Sequence, residues 1–307
     1  MDKFYAVILA GGLSKRIKSK IPKVFHKVSG KMMIEWSIEA CIHLNPEKIF
    51  VVGNSENKDM LENVCGKYPN VEVVVQEVPK GTGDAVNTVR RFVNNGLIYV
   101  APGDAPLIKT ETIKKMLDIM LKTDKDAVIL SAEVPNPEGY GRIVRDGDRF
   151  IKIVEHRDAN ENERKIKEVN GGFYIFRGDK LFKALEKISP NNSQGEYYLT
   201  DVFNFLKDVQ VIKAEDWKEI LGVNTREQLA VVEGIMQERI KKKHMDNGVT
   251  FIMPENVYVE FSVKIGRDSI IYPFVALLGN TIIGKNCVIG PFKVLNNETI
   301  PDGSEIW

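Results

Sequence analysis

The sequence predicts an α/β protein: a mostly parallel sheet with helices on both faces, followed by a short left-handed parallel β-helix. Three observations predict it. Short β-branched apolar runs alternate with amphipathic helical stretches over residues 1–225. A long helical pattern covers 225–245. A six-residue period of small and aliphatic side chains begins after Asp246-Asn247-Gly248.

The strands are expected at 5–9, 49–52, 71–75, 97–101 and 127–132. Between them, 32–42 puts Ile34, Ile38 and Ile42 on one helical stripe. Residues 110–121 do the same with Ile113, Met116, Leu117 and Met120. Strands joined through helices pair in parallel, and ligands of such sheets bind outside the strands' carboxyl ends. From 138 to 176 the texture changes to hairpin-like pieces punctuated by Gly139, Gly141, Gly147 and Gly171-Gly172, an excursion that closes over the sheet. In the long helix Leu229, Val232, Ile235, Met236 and Ile240 form the apolar face. Lys241-Lys242-Lys243 reads as a solvated end that suits the helix dipole. Counting in sixes then gives Val257, Val263, Ser269, Val275, Thr281, Cys287 and Lys293, with Ile265-Gly266, Leu278-Gly279, Ile283-Gly284 and Ile289-Gly290 in step. One inward side chain per hexad would fill a triangular core. Tyr272-Pro273-Phe274 and Asn296-Asn297 dilute the phase. The expected division is 1–225, a connecting helix at 226–247, and the β-helix at 248–307.

Composition excludes several classes. With 43 basic and 42 acidic side chains the net charge is +1, which gives no reason to expect nucleic acid or an anionic membrane as partner, so any phosphate binding must be local. Cys41, Cys65 and Cys287 are scattered and odd in number, which fits a reducing cytoplasm and no disulfide framework. The apolar run 4–10 leads straight into Gly11-Gly12 and reads as a buried strand rather than a secretory segment.

The candidate chemistry starts at Leu9-Ala10-Gly11-Gly12-Leu13-Ser14-Lys15-Arg16, with Lys23 following in Ile21-Pro22-Lys23-Val24. A strand running into glycines exposes successive backbone N–H groups, and glycine lets a phosphate approach closely. Arg16 and Lys23 supply cations for a polyphosphate. The stretch is neither a Walker loop nor a dinucleotide fingerprint. His26, His43, His156 and His244 have no metal-ligand spacing and are read as non-catalytic.

Further motifs accompany it: Gln76 with Gly81-Thr82-Gly83, Gly103-Asp104-Ala105-Pro106-Leu107, Gly139-Tyr140-Gly141-Arg142-Ile143, and Ile153-Val154-Glu155-His156-Arg157-Asp158-Ala159. Then come Glu168-Val169-Asn170, Gln194-Gly195-Glu196-Tyr197-Tyr198-Leu199-Thr200-Asp201 and Gly222-Val223-Asn224. In this order and spacing they resemble the bacterial N-acetylglucosamine-1-phosphate uridylyltransferase family. The resemblance implies a Rossmann-like nucleotidyltransferase domain acting on UTP and an amino-sugar 1-phosphate. It implies nucleotide contacts at Leu9, Ala10, Gly11, Gly12, Gln76, Gly81, Thr82 and Gly103, with Gln76 reading the base. Sugar contacts fall on Gly141, Glu155, Asn170 and Asn224. Mg²⁺ falls on Asp104 and Asn224, and Arg16 and Lys23 are the catalytic cations. A sugar 1-phosphate is already an anionic nucleophile, so the absence of a poised His or Cys is expected.

Departures from the family's pattern are Ser14 in place of a loop glycine, Pro102 where Tyr is common, and Gly171 where many relatives carry Thr. Bifunctional relatives continue the β-helix into an acetyltransferase site. Here the hexads number roughly eight, about three coils, so the expectation is uridylyl transfer without acetyl transfer and a β-helix serving as homotrimerisation module or remnant. Related reactions with N-acetylgalactosamine 1-phosphate, glucose 1-phosphate, dTTP or GTP, and a non-catalytic nucleotide-sugar-binding subunit, stay open. A glycosyltransferase on a similar sheet is disfavoured, because such enzymes typically use an Asp-x-Asp metal motif and none is singled out here.

Overall fold

In the computed structural model, which describes residues 3–12, 14–93 and 95–307, the chain divides into two compact units. The first joins the residues up to Val24 with Ile34–Gly222; the second joins Phe25–Met33 with Val223–Trp307. A single boundary at 225 would have left 25–33 with the N-terminal sheet. The segment belongs to the second unit because the Ser29 N–H and hydroxyl donate to the Glu233 carboxylate at 2.7 and 2.9 Å. The Phe261 N–H in turn donates to the Ser29 carbonyl at 3.0 Å.

The first unit contains a nine-stranded sheet, counted among the described residues. Its strands are β1 (Phe4–Leu9), β2 (Lys48–Asn54), β3 (Val71–Gln76), β4 (Leu97–Pro102), β5 (Ala127–Glu133), β6 (Arg142–Asp146), β7 (Arg149–Val154), β8 (Glu168–Arg177) and β9 (Val209–Lys213). The through-path is β9-β5-β8-β4-β1-β2-β3, and the β6–β7 hairpin hangs from β8. Every pair on the path is parallel except those made by β8, which runs antiparallel to β4 and β5. The chain does carry Asp-x-Asp spacings, at Asp124-Lys125-Asp126 and at Asp146-Gly147-Asp148. The second is the exposed turn of the hairpin, and in the first Asp126 accepts the N–H groups of Lys207 and Asp208.

Central position follows from composition. In β1 the consecutive residues Ala6, Val7 and Ile8 are all wholly buried, so both sheet faces are covered there, as parallel strands require. Val7 and Ile8 each contribute about 1.5–3 kcal/mol by that burial. On one face Val7, Phe50, Val52, Val100 and Ile129 share a core with the helices Thr82–Asn87 and Gly178–Leu185. On the other, Ile8, Val51 and Tyr99 are buried too, as are Ile34 and Ile38 of Met33–Ile42 and Ile113, Met116 and Met120 of Thr110–Lys122.

In the second unit the helix Arg226–Asp246 is capped by Thr225, whose hydroxyl accepts from the Gln228 N–H at 3.2 Å. Beyond it short strands stack in parallel. Tyr258 pairs with Ala276 and Ala276 with Val294, eighteen residues apart each time, which is three hexads per coil. Val257, Val263, Ser269, Val275, Thr281 and Cys287 point inward as the period requires. Lys293 does not: it is half-buried, since an ammonium is not taken into an apolar core without partners. After Asn296-Asn297 the step falls to seventeen, Ile282 pairing with Thr299.

The lysine run also needs correction. Lys241 is buried rather than solvated, and its ammonium donates to the Pro254 carbonyl at 2.5 Å and the Val257 carbonyl at 3.0 Å. One turn earlier, buried Gln237 pairs with Val259 as a strand would, donating at 2.8 Å and accepting at 2.9 Å. Two polar side chains of the helix thus satisfy the backbone edge that the first coil would otherwise leave open.

Candidate active site

Register brings four strand ends together at one edge of the sheet: Leu9 lies opposite both Val52 and Pro102, and Asn54 lies opposite Gln76. The Gly103 N–H donates to the Leu9 carbonyl at 2.9 Å, which holds the chain after β4 against the end of β1. The glycine loop starts from this edge; its Leu13 lies outside the described residues.

Two buried asparagines that the motif reading did not single out organise the loop. Asn57 donates from its side chain to the Ala10 carbonyl and Asn54 to the Gly11 carbonyl, each at 2.9 Å. Each also accepts the other's backbone N–H, at 2.9 and 3.0 Å. In a trans peptide the N–H points opposite to the carbonyl. Fixing those two carbonyls therefore turns the N–H groups of Gly11 and Gly12 away from the asparagine pair, in an arrangement suited to an anionic oxygen. The sequence signal was an Asn at a strand's carboxyl end with another three residues on. Asn57→Ala is expected to cost about 1–3 kcal/mol, because it strands the Ala10 carbonyl and the Asn54 N–H. Urea unfolding of the variant checks this; an unshifted midpoint would refute the role.

Ser14 takes a left-handed conformation, φ +54°, which explains why a glycine suits that place. Its hydroxyl compensates by accepting the Lys23 N–H at 3.0 Å and donating to the Gly12 carbonyl at 3.2 Å, tying the two ends of the loop. Arg16 lies exposed on the short turn that follows. The Lys23 ammonium forms an ion pair with Asp104, whose carboxylate stands just past β4. Tyr140 comes near as well: burial pushes its phenol above the usual range, and the Asp104 charge adds to the rise.

Gln76 is buried, and its amide nitrogen donates to Asp84 Oδ2 at 2.7 Å and to the Gly81 carbonyl at 3.3 Å. The 80–83 turn is clamped by the Tyr197–Leu199 stretch. Gly83 donates to the Tyr197 carbonyl at 2.8 Å, Tyr197 donates to the Lys80 carbonyl at 2.8 Å, and the Leu199 N–H donates to the Thr82 hydroxyl at 3.0 Å. A cavity of about 600 Å³ opens here, lined among others by Gln76, Lys80, Asp84 and Arg91; Lys23, Asp104 and Glu155 are not part of its lining.

The expected sugar contacts in the first unit meet one another. Asn170 donates its N–H to the Gly141 carbonyl at 2.8 Å, and a β-carbon on Gly141 would stand 3.4 Å from Glu155 Oε2. Glu155 accepts from the Thr200 hydroxyl at 2.9 Å. Burial pushes its carboxyl above the ordinary range, the Thr200 bond opposes that, and Asp201 and Asp158 add to it. The Asn170 amide donates to the Tyr174 hydroxyl at 2.6 Å and accepts from the Gly172 N–H at 3.1 Å. Gly171 is compelled by packing: a β-carbon there would lie 2.7 Å from the Leu130 carbonyl and 2.8 Å from Ile220. Asn224 belongs to the second unit, where its N–H donates to the Gln228 side chain at 2.7 Å.

Known proteins match this arrangement. The family described as MobA-like NTP transferase domain covers residues 6–195, and the bacterial transferase hexapeptide family (six repeats) covers 262–297. Proteins named bifunctional protein GlmU from Alkaliphilus oremlandii (strain OhILAs) and Clostridium perfringens (strain SM101 / Type A) are 43% and 45% identical, over 99% and 98% of this chain and 67% of each of theirs. The GlmU protein of Caldanaerobacter subterraneus subsp. tengcongensis is 41% identical over the whole chain and 67% of its own. In fold alone, the chain is similar to a crystal structure from Bacillus anthracis of a "Putative Glucose-1-Phosphate Thymidylyltransferase" in complex with a sucrose. The TM-score is 0.66 at 20% identity, covering 76% of this chain and 94% of that one. A sheet domain that matches the NTP transferase family model, followed by hexapeptide coils, defines a nucleotidyltransferase with a β-helix appended. The chain belongs to the GlmU family, and spans about two thirds of the length of the relatives it matches.

Proposed function

We propose that the protein transfers a uridylyl group from UTP to N-acetylglucosamine 1-phosphate, releasing pyrophosphate, with Mg²⁺ as cofactor. The observation that carries this reading is the Lys23–Asp104 pair at the strand edge that also bears the turned-out Gly11 and Gly12 amides. That edge combines a cation, a hard carboxylate and amide donors, which is what a nucleoside triphosphate and its metal require. The names of the relatives support the choice of reaction.

The donor set fits Mg²⁺. Among the described residues no three His, Cys, Asp or Glu side chains gather into a cage. A single carboxylate, Asp104, suits an ion that keeps its waters and borrows phosphate oxygens. When bound, the ion neutralises charge gathering on the α-phosphate and the departing pyrophosphate. Arg16 and Lys23 add cationic charge to the same polyphosphate, and the Gly11 and Gly12 amides hold its oxygens. Gln76 with Gly81 and Thr82 receives the base. Gly141, Glu155 and Asn170 orient the amino sugar. A phosphate oxygen of the sugar 1-phosphate bonds to the α-phosphorus while the bond to the bridging oxygen breaks, and pyrophosphate leaves with that electron pair. No general base is needed, and catalysis is positioning plus charge stabilisation.

The test is a pyrophosphate-release panel in Mg²⁺, with UTP, dTTP, CTP, GTP and ATP against N-acetylglucosamine, N-acetylgalactosamine and glucose 1-phosphates. The highest kcat/KM is expected for UTP with N-acetylglucosamine 1-phosphate. No turnover with UTP would sink the proposal.

A further inference from the structure

We propose that Asp84 determines base specificity by locking the side-chain amide of Gln76 in one orientation, so that only the amide oxygen of Gln76 faces the nucleotide. The inference rests on the reading of Gln76 as the residue that meets the base.

Gln76 is buried at the end of β3, and both partners of its amide end are acceptors that cannot donate: the Asp84 carboxylate at 2.7 Å and the Gly81 carbonyl at 3.3 Å. An amide oxygen turned toward that pair would face two acceptors with no hydrogen between them, so the nitrogen must point there. Asp84 sits in the first turn of the helix Thr82–Asn87, whose start is held by the Gly83 N–H donating to the Tyr197 carbonyl and the Leu199 N–H donating to the Thr82 hydroxyl. The carboxylate is therefore presented from a fixed position. Both amide hydrogens are committed, and Gln76 keeps only acceptor capacity for a ligand.

A base recognised this way must offer a hydrogen-bond donor at the matching point of its edge. Uracil does so with N3–H, and thymine offers the same group. Cytosine presents an unprotonated N3 there and adenine an unprotonated N1, each of which would set acceptor against acceptor. Discrimination against CTP thus follows from a residue that need not touch the base. With neutral asparagine at 84, the side chain can offer either an acceptor or a donor, and the Gln76 amide regains both orientations.

The experiment measures kcat/KM for UTP and CTP in wild type, Asp84→Asn and Asp84→Glu, with thermal midpoints alongside. In Asp84→Asn the UTP:CTP ratio is expected to fall roughly tenfold, through a higher KM for UTP and a gain with CTP. Asp84→Glu, which restores an acceptor-only partner, is expected to keep more of the ratio. An unchanged ratio in Asp84→Asn would overturn the inference, as would a loss of kcat and stability with no change in preference. If wild type uses dTTP and not UTP, the choice of nucleotide fails while the Asp84 inference is tested by the dTTP:CTP ratio. Preference of wild type for CTP or ATP would refute the locked amide directly.

Discussion

Alanine in place of Asp104 is expected to lower the rate of pyrophosphate release on the order of 10²–10³-fold. The carboxylate stands at the carboxyl end of β4 in an ion pair with Lys23, and it is the hard oxygen donor of the proposed Mg²⁺ site. Its removal costs the site a negative charge, so the Mg²⁺ concentration required for half-maximal rate should rise as the rate falls. The fold should survive. Lys23 is 19% exposed and can turn its ammonium to water, so the thermal midpoint is expected to stay near that of wild type. Asp104→Asn, which keeps a neutral oxygen, should fall between the two. Full activity in Asp104→Ala would overturn the metal assignment.

A single methyl group at position 81 is expected to have the second largest effect, and through a different cause. Gly81 has φ +116° and ψ 175°, a region that only glycine occupies without strain. A β-carbon there would lie 2.5 Å from the Tyr197 carbonyl oxygen and 2.8 Å from the Tyr197 nitrogen. Both are backbone atoms held in the clamp between the 80–83 turn and the 197–199 stretch, so neither can swing aside. Gly81→Ala should cost roughly 2–5 kcal/mol of stability, read from the urea midpoint. It should also raise the KM for UTP more than tenfold, because displacing the turn moves the Gly81 carbonyl and Asp84 that together orient Gln76. A variant with the stability and KM of wild type would show that the turn tolerates movement and is not part of a nucleotide site.

The parts of the molecule that could be read along the chain are those set by local periodicity. The β-branched runs became β1 to β5: β1, β2, β4 and β5 are buried on both faces, β3 at the end of the sheet only in part, and the i, i+4 stripe of Ile34 and Ile38 became the buried face of a helix. The hexads could be counted because each inward position admits only a small or aliphatic side chain; Lys293 broke the count where the chemistry of the core rejected it. Lys241 was misplaced by the same logic in reverse. Three lysines in a row look solvated until the carbonyls of Pro254 and Val257 are found waiting for one of them.

The sequence by itself determined the fold class, the family, and which residue types stand at the sheet's carboxyl edge, since strands, glycines and charged side chains recur there with fixed spacing. Tertiary structure alone decided how those groups are aimed. Asn57 meets Ala10 across 47 residues, Leu199 meets Thr82 across 117, and Lys23 meets Asp104 from another loop altogether. An amide's orientation, or the side on which a glycine loop shows its N–H groups, depends on which acceptor the completed fold brings within 3 Å. Such distances are products of long-range packing, whereas periodicity records only which face of its own element a residue occupies.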